Sequence, residues 1–277
     1  VRQFVDTVVY PDAQLCEANG KRPSDSVFKA MGENGLNPMR LGPGKHLHGL
    51  KLFGDIKGEE FDFFHELVIN QEFSRIYARG YADGLGGGMV IGLPPVKNFG
   101  HPSIRDTVMK EVLSSEKHIC LAISEAFAGS DVANLRCTAT KCEDGSGWII
   151  NGTKKWITGG MYADYFSTGC KTEGGLTMFL VPRGPGVTTK SIKTLYSTTA
   201  GTAYVEFKNV KVPNEYMLGP EDGGLLVILS NFNHERWVMC CGSARSSRII
   251  VEECIKWAAQ RDVFGKPLMA QPVIRQK

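Results

Sequence analysis

The chain has 277 residues, of which 42% are hydrophobic and 22% charged, and a formal net charge of +3. That is enough chain to bury a sizeable core and form two or three modules, and the composition is ordinary for a soluble globular protein. Lysines and arginines are scattered among acids with no basic stripe, which argues against nucleic acid as a partner, and no apolar run approaches the ~20 residues needed to span a bilayer. The eight cysteines include no C-x-x-C pair, Cys240 and Cys241 being adjacent, so zinc and dithiol redox spacings are both missing. They read as reduced, mostly buried thiols of an intracellular protein. The chain opens on Val1 and stops at Lys277 within what reads as a continuing helix, the pattern of a fragment.

Residues 1–26 are polar and punctuated by Pro11, Gly20 and Pro23. They read as an arm or linker leading into a helical first domain at 27–118. A short helix begins at 26–31 and is ended by Gly32 and Gly35. The stretch to Gly58 is loop-like; its His46 and His48 lack a third ligand and read as solvated loop histidines. Phe64, Leu67, Val68, Phe73, Ile76 and Tyr77 recur at helical spacing and predict an amphipathic helix. The run D-G-L-G-G-G-M at 83–89 follows no strand and lacks the last glycine of a dinucleotide fingerprint, so it reads as close helix packing. Pro94 and Pro95 break the apolar run that follows, and a helix over 104–113 ends the domain.

Residues 119–220 form a second unit with β signals. A strand over 119–124 runs into a loop containing Ala128, Gly129 and Ser130, small residues that let a backbone approach a flat or phosphate-bearing ligand. Asn151 and Gly152 are the strongest two-residue signal for a type I′ hairpin turn. Beyond them, Trp156 and Thr158 alternate onto one face of a strand, an indole and a hydroxyl that together can stack on a ring system and bond its polar edge. Residues 176–181 and 203–208 are further strands, the latter with Ala203, Val205 and Phe207 on one face. Residues 221–277 return to helix. Trp237, Cys241, Ala244, Val251, Ile255 and Ala258 make one broad stripe, and the small residues Gly242, Ser243, Ala244, Ser246 and Ser247 let another helix lie close.

Two blocks carry a resemblance. Residues 124–131 read S-E-A-F-A-G-S-D and residues 144–160 read D-G-S-G-W-I-I-N-G-T-K-K-W-I-T-G-G. They resemble the flavin-binding core of the acyl-CoA dehydrogenases, T-E-P-x-A-G-S-D followed by D-x-(W/Y)-x-I-N-G-x-K-x-W-I-T-N-G. The departures are Ser124 for Thr, Ala126 and Phe127 for Pro-Gly, and Gly159 for Asn. The resemblance covers residues 27 to 277 and implies a multidomain α and β protein: an all-α N-terminal domain, a small antiparallel β-barrel middle domain, and the start of a C-terminal four-helix bundle. It implies FAD, with Trp156, Ile157 and Thr158 against the flavin and main-chain groups of Leu121, Ile123 and Ser124 at its pyrimidine edge. Gly129 and Ser130 lie in the adjoining loop, Ser130 serving flavin or the coenzyme A chain.

Members of that family remove the α-proton of an acyl thioester with a carboxylate while the β-hydrogen leaves as hydride to flavin N5. In N-F-N-H-E-R-W at 231–237, Glu235 stands where the isovaleryl and long-chain branches carry the base; elsewhere in the family the base comes from the C-terminal bundle, beyond Lys277. Asn233, His234 and Arg236 are expected at the substrate, with Arg236 near the thioester. On the residues alone, the commoner fate of Glu235 is that of a first-turn glutamate favoured by the helix dipole. R-D-V-F-G-K at 261–266 resembles R-x-x-F-G-(K/R), so Arg261 and Phe264, joined by Gln271, are expected to reach the FAD of a neighbouring subunit. The implied function is α,β-desaturation of an acyl-CoA with electrons passed to an electron-transfer flavoprotein. An oxidase of acyl-CoA or nitroalkane type, using oxygen, is the alternative on the same fold, and a non-catalytic flavin-binding or assembly protein is a third. The resemblance further implies a homodimer or homotetramer, no metal, and a mitochondrial matrix location, with peroxisome or cytoplasm as alternatives.

Overall fold

Val5, Val9, Ala13 and Cys16 are spaced by four, four and three residues, which places them on one face of a helix, and all four are buried. In the computed structural model, which describes residues 1–195 and 198–277, they line one helical run. It comprises α1 (Arg2–Phe4), a π-turn (Val5–Val9) and α2 (Tyr10–Asn19), closed by Gly20 in the left-handed region. The reading of residues 1–26 as an arm or linker is therefore corrected. Pro11 sits in the first turn of α2, where a missing N–H costs nothing, so it punctuates nothing. The run is tethered at both ends. Glu72 accepts from Arg2 Nη2 at 2.7 Å and from Arg75 Nη1 at 2.8 Å, while Glu17 accepts from the Tyr81 N–H and the Thr199 hydroxyl, both at 2.8 Å.

The remaining helices of this part are α3 (Asp25–Glu33), α4 (Leu36–Met39), α5 (Phe63–Phe73), α6 (Arg79–Ala82), α7 (Gly88–Phe99) and α8 (Pro102–Leu113). The stripe expected on α5 is only partly the buried one. Phe64 and Val68 are exposed, whereas Glu66, Ile69, Asn70 and Phe73 face inward. Helical periodicity marks an amphipathic helix but cannot say which side is covered when inward polar groups have partners. The glycine run packs as expected. A Cβ on Gly88 would lie 2.6 Å from the Ile119 carbonyl oxygen, and one on Gly92 would lie 2.6 Å from the carbonyl carbon of Cys120, so α7 lies directly on the first strand. Pro94 and Pro95 do not end this helix; both lie inside it.

The β part contains β1 (Ile119–Ala122), β2 (Thr138–Lys141), β3 (Gly147–Ile157), β4 (Tyr165–Lys171), β5 (Leu176–Pro182), β6 (Val187–Ser191), β7 (Ala203–Pro213) and β8 (Met217–Leu218). They form one sheet in the order β6-β7-β3-β2-β4-β5-β8, with β1 added to β4. Pairing is antiparallel except for β1 and β2 against β4. Trp148, Phe166, Phe179 and Phe207 fill its core, and Ala203, Val205 and Phe207 share the buried face of β7 as expected.

Asn151 and Gly152 are not a hairpin turn; they lie inside β3. The ladder to β7 slips between Ile150 and Gly152, a bulge. Gly152 has φ 143°, and a Cβ there would fall 2.6 Å from Cys137 Cα, while Asn151 Oδ1 accepts the Asn209 N–H at 2.8 Å. The turn between β2 and β3 comes earlier, where Asp144 Oδ1 accepts the Ser146 N–H and Gly145 takes φ 69°.

The chain closes with α9 (Gly224–Leu229), α10 (Phe232–Gln260), β9 (Asp262–Val263) paired to β10 (Lys266–Pro267), and α11 (Pro272–Gln276). α10 buries Cys241, Ile249 and Ala258 but leaves Val251, Ile255 and Trp257 exposed, so only part of the expected stripe is covered. Gly242 does allow close approach, a Cβ there lying 2.9 Å from the Ser74 hydroxyl of the segment after α5. The eight cysteines are all unpaired and five are buried. Among the described residues, no helix is long and apolar enough to cross a membrane.

Two measurements follow from these tethers. Lys154, whose side chain is fully buried, donates to Glu125 Oε1 and to the Ile123 carbonyl. Lys154→Met should cost about 3–5 kcal/mol in urea unfolding, because it leaves a buried carboxylate unpaired. Adding Glu125→Leu should not restore stability, since Glu125 also accepts the N–H groups of Arg136 and Cys137. Separately, the hydrogen bond from Arg2, joined by Arg75, holds the Glu72 carboxyl at about 2, below its ordinary 4.5. Its stabilising contribution is complete above pH 4.5 and is lost as pH falls toward 2. Hydrogen exchange across residues 2–19 should therefore accelerate over that window, and Glu72→Gln should remove the dependence.

Candidate functional site

The loop after β1 is shaped by its own backbone and by β3. Glu125 and Ala128 exchange N–H···O bonds of 2.9 and 3.3 Å in a tight turn. The Ser124 carbonyl accepts the Lys155 N–H at 2.9 Å, and the Ile123 carbonyl accepts Lys154 Nζ at 3.1 Å. Burial pushes the Glu125 carboxyl up, but the Lys154 ammonium and the two backbone donors outweigh it and keep the group ionised below its ordinary range. The result is a rigid base for an open rim: no atom comes within 4 Å of a Cβ built on Gly129, Ser130 is exposed, and Phe127 is exposed beneath the Arg136 guanidinium.

Trp156 reaches this rim by a different route from strand alternation. Its φ is 67°, a conformation that bulky residues rarely adopt, at a second slip in the ladder between Lys154 and Ile157. The bulge turns its indole outward, half exposed, with Lys155 Nζ 4.7 Å from the ring centre. Simple alternation therefore does not carry from Trp156 to Thr158. Ile157 is buried in the β core and Ile123 is buried beneath the loop, so these two have backbone rather than side chains to offer a ligand, while Leu121 is half-buried. Thr158 is half-buried, its methyl 3.4 Å from where a Cβ of Gly87 would stand.

The second expected half of the site begins at Asn231, just before α10. Its Nδ2 donates to Glu235 Oε1 at 2.8 Å and to the Val90 carbonyl at 3.3 Å. That carbonyl is free because its helical partner four residues on would be Pro94, which has no N–H. Val90 is three residues from Gly87, so about one helical turn separates the Thr158 contact from the Asn231–Glu235 pair. α7 thus joins the two expected halves of the site. Burial raises the Glu235 carboxyl above its ordinary value, opposed by the Asn231 hydrogen bond and by the charges of His234 and Arg236.

The other expected site residues divide. Arg236 is exposed, its guanidinium 5.5 Å from the Phe232 ring centre, and Asn233 is exposed. His234 is turned the other way: its Nε2 lies 2.8 Å from the fully buried Glu66, so that nitrogen is not free for a substrate. Arg261, Phe264 and Gln271 lie past the far end of α10, whose 29 residues span roughly 43 Å. They do not join the site of their own chain. Phe264 tips the β9–β10 turn at φ 52° and is almost wholly exposed. Sequence reasoning passed over Lys154, Glu125 and Asn231; the first two stand within the quoted motifs, and the signal for Asn231 was Pro94. His46, expected to be a solvated loop residue, is half-buried and is pushed down to about 4 by burial and by Lys97.

Comparisons with known proteins agree with this layout. Residues 1–116, 120–210 and 222–277 match the N-terminal, middle and C-terminal domain models of acyl-CoA dehydrogenase. Acyl-CoA dehydrogenase apdG of Emericella nidulans is 38% identical over 228 residues, 80% of this chain and 52% of that protein. Acyl-CoA dehydrogenase AFT10-1 of Alternaria alternata is 33% identical over 285 residues, 100% of this chain and 65% of that protein. An acyl-CoA dehydrogenase of Bacillus anthracis, solved in complex with FAD, superposes with a TM-score of 0.85 at 26% identity over 99% of this chain and 46% of that one. The chain belongs to the acyl-CoA dehydrogenase family. It spans about half to two thirds of the length of these relatives.

The Asn231 bridge is testable without a ligand. Asn231→Ala strips a donor from two acceptors at once and should destabilise the protein by about 1–3 kcal/mol in urea unfolding. Asn233→Ala, on the exposed side of the same turn, should stay within about 0.5 kcal/mol of wild type.

Proposed function

We propose that the protein is an FAD-dependent acyl-CoA dehydrogenase that desaturates an acyl-CoA thioester between its α and β carbons, with Glu235 as the base. The observation that carries this reading is Glu235 itself. A carboxylate that must take a weakly acidic α-proton works best with its proton affinity raised toward neutrality, and burial raises it here. Asn231 holds Oε1, which leaves the second oxygen to receive the proton. The exposed Arg236 stands beside it as a cation for the oxyanion that develops on the thioester oxygen.

The rim fits FAD. An outward indole at Trp156, the open ground at Gly129 and the Thr158 hydroxyl suit a flat ring with polar edges, and the relative from Bacillus anthracis was solved with FAD. When bound, FAD supplies the acceptor for the β-hydrogen, which leaves as hydride. This chain's own part is to stack the ring on Trp156, to hold the loop rigid through Lys154 and Glu125, and to keep the base at a fixed distance through α7. Arg261, Phe264 and Gln271 serve a neighbouring copy in a homodimer or homotetramer, a reading that their place past the far end of α10 supports. An electron-transfer flavoprotein takes the electrons. Mitochondrial isovaleryl-CoA dehydrogenases of Oryza sativa and Arabidopsis thaliana, 27% and 26% identical over 97% of this chain, support a mitochondrial matrix location.

Glu235→Gln in the full-length protein should bind acyl-CoA with an affinity within about threefold of wild type yet reduce flavin at least a thousandfold more slowly in anaerobic stopped flow, a loss on the scale of removing a general base. In the wild type, the rate should rise with pH as Glu235 ionises, with its midpoint above the ordinary 4.5. Near-normal reduction by the variant would assign proton abstraction to another carboxylate.

A further inference from the structure

The ion pair that anchors the rim has two thiols beside it that the proposed reaction does not use. Cys137 and Cys170 are both buried in the β core, and their sulfurs lie 3.8 Å apart. The sheet puts them there. β2 and β4 run parallel and pair at Thr138 and Lys171, so the residue before each, Cys137 and Cys170, points to the opposite face of the sheet. That face is the core: Thr138 and Lys171 are exposed and the cysteines are not. The Lys171 N–H donates to the Cys137 carbonyl at 2.6 Å, which holds the two segments side by side. Neighbouring strands stand about 4.7–4.9 Å apart, inside the roughly 4.4–6.8 Å between Cα atoms that a disulfide spans. The backbone is therefore already placed for a cross-link.

The two thiols are held differently. A Cβ on Gly152 would stand 2.9 Å from Cys137 Sγ, so β3 closes one side of that sulfur while Cys170 stands on another. Hydrogen bonding from Cys170 holds the Cys137 thiol below its ordinary range against the effect of burial, and the Lys154 ammonium assists. Burial pushes the Cys170 thiol well up. One member is inclined to ionise and the other to keep its proton, the polarity that oxidation requires, because the thiolate is the nucleophile. Cys137 is also one bond from the rim. Its N–H donates to Glu125 Oε1 at 2.9 Å, the same oxygen that receives Lys154 Nζ at 2.8 Å.

We propose that Cys137 and Cys170 form a reversible disulfide that acts on the flavin rim through Glu125. The oxidant is a hydroperoxide. The Cys137 sulfur attacks one peroxide oxygen, the O–O bond breaks, and water or an alcohol leaves with the thiol's proton, giving a sulfenic acid. The Cys170 sulfur then attacks Cys137, the S–O bond breaks, and water leaves with the second thiol's proton. Each thiol gives up one electron, and the peroxide bond takes up both. In the product the sulfurs stand about 2.05 Å apart, well inside the 3.8 Å of the dithiol. Cys170 lies within β4 and is paired to Thr177 of β5, whereas Cys137 stands just outside β2. The movement therefore falls on Cys137 and draws its N–H away from Glu125. The consequence for FAD rests on the reading of the rim as its platform: the oxidised protein holds the ring less tightly, and a thiol reductant restores the grip.

The test uses full-length protein. N-ethylmaleimide applied to the native protein caps the exposed Cys240 and Cys254; hydrogen peroxide is then added, and the protein is digested without reductant. Trypsin cuts after Arg136, Lys141, Lys155 and Lys171, so Cys137 and Cys170 fall in separate peptides, neither holding another cysteine. Mass spectrometry should find those two peptides joined and lighter by two hydrogens than their sum, and dithiothreitol should separate them. The oxidised wild type should bind FAD about tenfold more weakly than the reduced form, the scale of losing one hydrogen bond to a charged group. Peroxide should leave the FAD affinity of Cys137→Ala within about twofold, since that variant cannot close the bond. Recovery of both cysteines as free thiols or as sulfinic acids in the wild type would overturn the disulfide, whatever the variant does. A joined peptide with unchanged FAD affinity would overturn its action on the rim. Reduced protein that fails to bind FAD would overturn the proposed function and with it the effect on FAD, while the peptide map by itself decides whether the disulfide forms.

Discussion

The buried ion pair between Lys154 and Glu125 is the interaction on which the site's geometry depends. Lys154 comes from β3 and Glu125 from the loop after β1, so one contact fixes the rim of the platform to the strand that presents Trp156. An ammonium and a carboxylate withdrawn from water are tolerated only if every remaining donor and acceptor is served. Here Lys154 also serves the Ile123 carbonyl, and Glu125 also serves the N–H groups of Arg136 and Cys137. The pair therefore contributes little through attraction alone. Its effect is to allow one arrangement of loop and strand, since a shift of either would strand a charge.

What could be read from the chain beforehand follows from which forces are local. The order of helix, sheet and helix was legible, because periodicity and β-branched runs report local backbone preference. The two motif blocks were legible because their residue types are individually unusual. The errors share a cause: in each, a local signal was outvoted by a long-range contact. Pro11 and Pro23 made the start look like an arm, while the spacing of Val5, Val9, Ala13 and Cys16 against the rest of the helical core made it a helix. Asn151 and Gly152 looked like a turn because nothing in the neighbouring sequence shows Cys137 crossing above Gly152. On α5, the apolar residues were weighed and the polar ones were not, yet Glu66 and Asn70 are the ones turned inward.

The candidate site divides in the same way. Trp156, Thr158 and Glu235 could be picked out by type and position, but what ties their segments together in the fold is α7, which lies outside the two motif blocks. That helix touches the β part through bare glycines and the start of α10 through a carbonyl. His234 is the reverse case, a residue whose neighbourhood in sequence suggests substrate contact and whose ring is committed elsewhere. Neighbours on a helix differ by about 100° in direction, so adjacency to a base says little about what a side chain touches.

Pro94 has one further consequence. By ordinary helix propensity it is among the poorest residues for the interior of α7, and a substitution such as alanine would be chosen by any scheme that improves helices. The new N–H would close the missing bond to the Val90 carbonyl and compete with Asn231 for it. The helix would gain stability and the turn before α10 would lose its anchor, so thermal robustness and competence would move in opposite directions. In this fold a gap left deliberately unfilled in one helix is the hook on which another hangs, and repairing the first unhooks the second.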